Sequence, residues 1–362
     1  MSDRGCGEVN LLHRRLAGRD NALNTLRLVL AAVVILEHSY SLVHGPGGPL
    51  PYAGGFAVDG FFAISGFLIA GSRTRMGMRP YLWRRALRIV PAYWAVLLFT
   101  ALAVAPASAW ITESPYPWGE AGKYVTWNSL LFTPVLGIGS SPNGVPYAGL
   151  WNGPLWTLAF EAGAYVFFGL LVALPGFGAR AAARVLLCLS VLTAVQFGTG
   201  FAPDFDPDLA RLWAFFAAGT LLWFVKERLP SSAWMAAGAV VVVSATLMWN
   251  HTLYVSVAPL PLAFVLIWLG ARLPLRAGAR HDISYGLYLF AYPLQQLMII
   301  GGVAAAVGSL WFAVLSVAVT VPVAWASWLL VERPSMGLRR LVPVTPTIAQ
   351  SPVGRAPRAA AL

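Results

Sequence analysis

Runs of about twenty apolar residues recur along this chain of 362, separated by short polar or basic connections. A hydrocarbon core about 30 Å thick is crossed by roughly 20 residues of helix. Lipid offers no partner to backbone N–H and C=O groups, so only helices and closed barrels span it. The runs are continuous instead of alternating, which argues against a barrel. Charged residues make up 11% of the chain and hydrophobic ones 58%, where a soluble domain carries about 25% charge. The expected fold is an all-α polytopic integral membrane protein of about ten transmembrane helices. They fall near 24–43, 55–72, 84–105, 151–174, 182–199, 209–225, 231–249, 254–271, 284–306 and 308–331. The first lacks a small-residue cleavage site and reads as a retained span.

With those spans in place, only Lys123 and Arg211 of the 25 Lys and Arg fall on one side of the membrane. Basic connections stay in the cytoplasm, which puts both termini inside. The net charge of +11 is therefore a topology signal, and no nucleic-acid partner is expected. It favours anionic membrane lipids or an anionic cytosolic ligand at that face. Residues 1–23 read as a cytoplasmic tail, 24–331 as the membrane domain and 332–362 as a basic, disordered tail. Cys6 and Cys188 suit no structural disulfide, and five scattered histidines give no metal-ligand spacing.

Ionisable groups inside apolar spans are costly and mark function by default. The first span carries Arg27 near its start and Glu37-His38 further along. Eleven steps of helix separate Arg27 from His38, roughly 16 Å at 1.5 Å per residue, about half the hydrocarbon thickness. The second span carries Asp59, and the fourth carries Glu161 within LWNGPLWTLAFEAGAYVFFG. Between the second and third spans lies the densest basic segment, with Arg73, Arg75, Arg79, Arg84, Arg85 and Arg88. Arg84 and Arg88 share a helix face, and Arg85 and Arg88 are neighbours at i, i+3. Interfacial anchoring by snorkelling explains any one of them. Together they also suit a clamp for phosphates, which guanidinium groups bind bidentately. Pro91 is expected to kink the third helix and Pro293 to break the ninth. The long segment 106–150 is expected to contain a short interfacial helix, with Trp110, Tyr116, Trp118, Tyr124 and Trp127 as belt residues or a sugar-stacking platform.

Taken together, these residues resemble the bacterial membrane-bound acyltransferase family 3, whose members O-acylate sugars. The resemblance runs over roughly residues 22–340. It rests on Arg27 and His38; on Val58-Asp59-Gly60-Phe61-Phe62-Ala63-Ile64-Ser65-Gly66-Phe67-Leu68-Ile69; and on the Arg-x-x-Arg-Ile-x-Pro-x-Tyr-Trp pattern from Arg85 to Trp94. Further matches run from Leu155 to Glu161, from Ser284 to Leu289 and from Glu332 to Pro334. One departure is Ala291-Tyr292-Pro293, where many relatives carry a second histidine.

The resemblance implies acyl-CoA, with acetyl favoured, as a cytosolic co-substrate, and no bound cofactor. The acceptor would be a saccharide, glycolipid or glycosylated metabolite, and the location the bacterial inner membrane. Arg27, Arg84, Arg85 and Arg88 would meet the donor. His38 would act as general base or transient acyl carrier, because an imidazole both takes and returns a proton near neutral pH. Glu37 lies about 100° from His38 around the helix, so Asp59 or Glu161 is the preferred orienting carboxylate. Ser65, Trp156, Tyr288 and Tyr292 would line the acceptor cavity. A function of another class, a transporter or flippase for a lipid-linked or small polar solute, also fits ten spans with buried charges.

Overall fold

The computed structural model describes residues 21–45, 53–201, 206–278 and 281–344, together with Leu16. The Gly/Pro-rich connection at 46–52, both tails beyond these limits, Cys6 and His13 lie outside the described residues. Helices are the only regular elements among the described residues, and no strand is found among them.

The helices are α1 (Leu23–His44), α2 (Ala53–Arg73), α3 (Met78–Phe99), α4 (Ala105–Ile111), α5 (Trp118–Asn128), α6 (Trp156–Leu171) and α7 (Ala179–Thr199). They continue as α8 (Pro207–Val225), α9 (Ala233–Trp249), α10 (His251–Val257), α11 (Pro259–Arg272), α12 (Ser284–Ile300), α13 (Val303–Ser327) and α14 (Arg333–Gly337). Each expected span coincides with a helix or a pair of helices. By length and composition, however, seven described helices can cross a membrane, or eight if the bent pair α10–α11 is one span. That pair turns by 62° at the break before Pro259. The two remaining expected spans, at α9 and α12, have 17 residues each. That is about 25 Å of helix, short of a full hydrocarbon core.

Pro293 does not break its helix as expected, and neither proline ends the helix that carries it. Pro91 sits inside a continuous α3, and the irregularity comes later, as a π-helical turn over Thr100–Val104 that runs into α4. Pro293 likewise sits inside a continuous α12. Its missing N–H frees the carbonyl one turn back, that of Leu289. The Asn152 side chain donates to that carbonyl at 2.9 Å. A neighbouring segment has satisfied the exposed group, which is how membrane helices tolerate proline.

The tightest packing joins α2 to α8. A Cβ on Gly66 would collide with the Phe216 carbonyl, and one on Gly219 with the Ala63 carbonyl. Small residues bring the backbones together where lipid gives no hydrophobic drive to associate. Helix α1 lies against α2, α12 and α13. The Asn21 side chain accepts from Leu23 N at its start, and Asn24 donates to the Gly278 carbonyl.

The expected interfacial helix is α5. Trp110, Trp118 and Trp127 are exposed, as belt residues are, but Tyr124 is buried. None of the five aromatics named for that segment lines the His38 cavity described below, whereas Tyr147, further along it, does. The later part of the connection is pinned instead. Asn128 exchanges two hydrogen bonds with Val135, and Gln296 donates to the carbonyls of Tyr147 and Leu150.

Candidate active site

Two cavities lie toward opposite ends of α1, and a third, smaller one shares walls with both. The first, about 180 Å³, collects Arg27 from α1, Ser65 from α2, Arg84, Arg85 and Arg88 from α3, Tyr165 from α6 and Arg339 beyond α14. Helical spacing brings three arginines of α3 to it. Arg73 of the same basic segment is turned away, donating to the carbonyls of Gly169 and Met76. One carboxylate organises the inner part of this cluster. Asp282, in the turn before α12, lies 2.6 Å from Arg88 and 3.4 Å from Arg27. It also accepts from the Ser284 hydroxyl. Burial would raise its pKa, but Arg88 and then Arg27 outweigh that and hold it at about 2. Glu332, buried at the end of the last span, is 3.6 Å from Arg88. The Nε atoms of Arg27, Arg84 and Arg85 are buried with no hydrogen-bond partner among the described residues. Buried donors of this kind call for an acceptor that the protein itself does not supply.

The second cavity, about 460 Å³, contains His38 and Glu37 from α1, Trp156 and Thr157 from α6, Tyr288 and Tyr292 from α12, and Arg211 from α8. Its roof comes from the pinned connection, through Thr133, Leu136, Tyr147 and Leu150. The His38 ring meets Tyr292 edge-on with centroids 5.2 Å apart. His38 Nε2 lies 3.5 Å from Glu37 Oε2, within ion-pair reach and longer than a good hydrogen bond. Gly54 makes room for that carboxylate, since a Cβ there would stand 2.6 Å from Glu37 Oε2.

A small cavity of about 30 Å³ shares walls with both. Arg27 belongs to it and to the arginine pocket; Val58, Thr157 and Tyr288 belong to it and to the His38 chamber. Phe61 and Glu161 complete its walls, and the Arg27 guanidinium lies 6.0 Å from the Phe61 ring centre. Thr157 and Tyr288 bond each other at 2.6 Å and both reach the Pro154 carbonyl. Basic pocket, junction and imidazole chamber thus lie in sequence along the first span.

A family model described as an acyltransferase domain (Acyl_transf_3) matches residues 20–329. The chain belongs to acyltransferase family 3. It is similar to an O-acetyl transferase of Shigella phage Sf6, 28% identical over 310 residues that cover 78% of this chain and 86% of the relative. It is also similar to nodulation protein 10 of Rhizobium leguminosarum bv. viciae, 26% identical over 365 residues, 89% and 95% of the two chains. No solved structure matches. The protein is a multi-pass membrane O-acyltransferase.

Within this acyltransferase the expected site residues divide. Arg27, Arg84, Arg85 and Arg88 meet in the basic pocket, and His38, Trp156, Tyr288 and Tyr292 share the chamber. Ser65 faces the basic pocket, where its hydroxyl donates to Glu161 at 3.3 Å. Glu161 also accepts from Tyr165 and lines the junction. Asp59 is fully buried, with Arg211 at 2.6 Å and the Tyr254 hydroxyl at 2.9 Å. Arg211 in turn holds Asp208 at 2.7 Å. The carboxylate beside His38 is Glu37, set aside on helical geometry because adjacent residues point about 100° apart. A long side chain closes that angle where the opposite wall is a glycine. Asp282 and Arg339 also escaped the sequence reading. The first is an acid in a basic connection, and the second lies in a tail that reads as disordered.

Proposed function

We propose that this O-acyltransferase moves an acyl group, acetyl in the first instance, from acyl-CoA to a hydroxyl of a saccharide-containing acceptor, with His38 as the base. The observation that carries the reading is the single line of cavities. A pocket of unpaired arginine donors and the chamber that holds the imidazole share walls with one small cavity, Arg27 on the pocket side and Val58, Thr157 and Tyr288 on the chamber side. In this reading the arginine-rich end faces the cytosol, as the bias of basic residues favours. The membrane is the bacterial cytoplasmic membrane, and the acceptor enters the chamber from the opposite side. A relative named as an O-acetyl transferase supports acetyl as the transferred group.

Phosphates of the donor lie among Arg84, Arg85 and Arg88, and its pantetheine arm runs past Arg27 through the junction, so that the thioester reaches the chamber beside His38. The acceptor hydroxyl gives its proton to His38 as its oxygen attacks the thioester carbonyl. The C–S bond breaks, the CoA thiolate leaves, and the proton held by His38 returns to it. Glu37 stabilises the imidazolium during that interval. Trp156, Tyr288 and Tyr292 offer the aromatic faces and hydroxyls on which a sugar ring packs.

The test is transfer from labelled acetyl-CoA to a panel of glycosylated acceptors by purified wild type and His38→Ala, matched for detergent-solution size and thermal stability. The variant is expected to lose at least a hundredfold in turnover, the usual scale of a lost general base. Equal turnover in both proteins overturns the assignment of His38, and donor-independent activity overturns acyl-CoA.

A further inference from the structure

The basic pocket has a wall that the family match does not include. The match ends at residue 329, whereas Met336 and Arg339 line the pocket from the segment after the last span. This segment does not merely trail away. The Trp83 indole N–H, one residue before Arg84, donates to the Leu338 carbonyl at 3.0 Å, and the whole segment packs along α3. Trp83 therefore fixes the backbone next to Arg339 against the helix that carries Arg84 and Arg85.

Charge supplies the second argument. Five arginines line the pocket, and two carboxylates, Asp282 and Glu332, lie within ion-pair distance of any of them among the described residues. Both pair with the inner arginines. Arg84, Arg85 and Arg339 form no ion pair among the described residues, and the buried Nε of Arg84 and of Arg85 has no acceptor. An excess of about three positive charges at a pocket mouth draws a ligand of similar negative charge and raises its local concentration.

We infer that Arg339 is a donor-binding residue, and that the segment 333–341, clamped by Trp83, closes the mouth of the pocket around the phosphate groups of a nucleotide-bearing thioester. The inference rests on the donor reading above and adds to it a residue and a wall. Guanidinium groups recognise phosphate oxygens in pairs, so a lysine at 339 would keep the charge and lose the fork.

The experiment compares two donors, acetyl-CoA and acetyl-pantetheine, which carries the same thioester without phosphates. Wild type, Arg339→Ala, Arg339→Lys and Trp83→Phe are assayed with each, and the ratio of kcat/KM for the two donors is the readout. Arg339→Ala is expected to lower the preference for acetyl-CoA about tenfold through its KM, the scale of one charge-assisted hydrogen bond. Arg339→Lys and Trp83→Phe should fall between it and wild type. An unchanged ratio in Arg339→Ala, with Arg84→Ala lowering it, overturns the inference and leaves the donor reading standing. A wild type that uses both donors equally well overturns the donor reading itself. Each variant is first matched to wild type in thermal stability and detergent-solution size, so that an unchanged ratio is not the signature of misfolding. Protection of Arg339 from phenylglyoxal by desulfo-CoA, followed by mass spectrometry, reads binding independently of turnover. No protection at that residue also counts against the assignment.

Discussion

The arginine pocket and the His38 chamber both carry buried charge, but they balance it differently. In the chamber, Arg211 is met by Asp59 and Asp208, and His38 by Glu37. In the pocket, five guanidinium groups share two carboxylates. Unpaired charge inside a membrane is expensive unless a ligand or water completes it. The pocket is thus suited to recognise an anion by charge. The chamber, already neutralised, is left to recognise by shape, aromatic faces and hydroxyls. The same contrast separates charges that hold the fold from charges that serve the ligand.

The sharpest way to break the comparison is at Asp59. If it belongs to the fold, Asp59→Ala leaves the buried Arg211 charge with only the partly exposed Asp208 and costs up to about 3–5 kcal/mol, the usual penalty for removing one partner of a buried pair. The expected result is a large drop in thermal stability in detergent, whereas His38→Ala stays close to wild type. Wild-type stability with lost turnover would return Asp59 to the chemistry. At the other end, Arg84→Ala with Arg85→Ala should leave stability nearly intact and raise the donor KM about a hundredfold. That is the effect of two charge-assisted contacts at roughly tenfold each. A fall in kcat with unchanged KM would count against a binding role.

Asp282 bridges the two kinds of charge, and pH separates them. Its folded pKa of about 2 is below the ordinary 3.8, so the carboxylate form stabilises the fold. That contribution is complete above about pH 4 and is lost as pH falls through 2. Its size is on the order of 2 kcal/mol by linkage. Asp282→Asn should therefore lower stability at pH 7 by that order, and its deficit against wild type should vanish toward pH 2. A deficit that persists unchanged at pH 2 would mean that shape, and not charge, explains the loss. The variant should also weaken donor binding, since Arg27 and Arg88 lose their common anchor.

Much of this was legible in the amino-acid order. Apolar runs located the helices, and the one-sided arginines located the pocket. The interval from Arg27 to His38 placed an imidazole half a membrane away from it. What stayed hidden depended on contacts between helices. Asp59 finds Arg211 from 152 positions away, although Arg211 was one of two cations on the sparsely charged side and so already marked as unusual. Periodicity assigns residues to faces but does not choose rotamers, so Glu37 was read as turned from His38. The break expected at Pro293 is absent for the same reason: the Asn152 side chain that completes the Leu289 carbonyl comes from another segment. Arg339 was obscured by composition, because a basic stretch after the last span reads as a topology signal whether or not it folds back.

The smallest predicted effect tests the correction at Glu37. Oε2 stands 3.5 Å from His38 Nε2. An imidazole whose Nε2–H is turned to a carboxylate presents Nδ1 as its lone pair, and the carboxylate steadies the ring once it is charged. Glu37→Gln keeps the shape and removes the charge, so kcat should fall about tenfold with donor KM unchanged, a modest share of the hundredfold or more attached to the base itself. Gly54→Ala should produce a similar loss without touching either titrating group, because its new Cβ would stand where the carboxylate lies. The pair is informative together. If Glu37→Gln is silent while Gly54→Ala is not, the glycine serves only chamber volume, and the stabilising partner of His38 must be sought elsewhere. If both fall together, in kcat and not in KM, the two adjacent residues of α1 work as one unit at the balanced end of the cavity line.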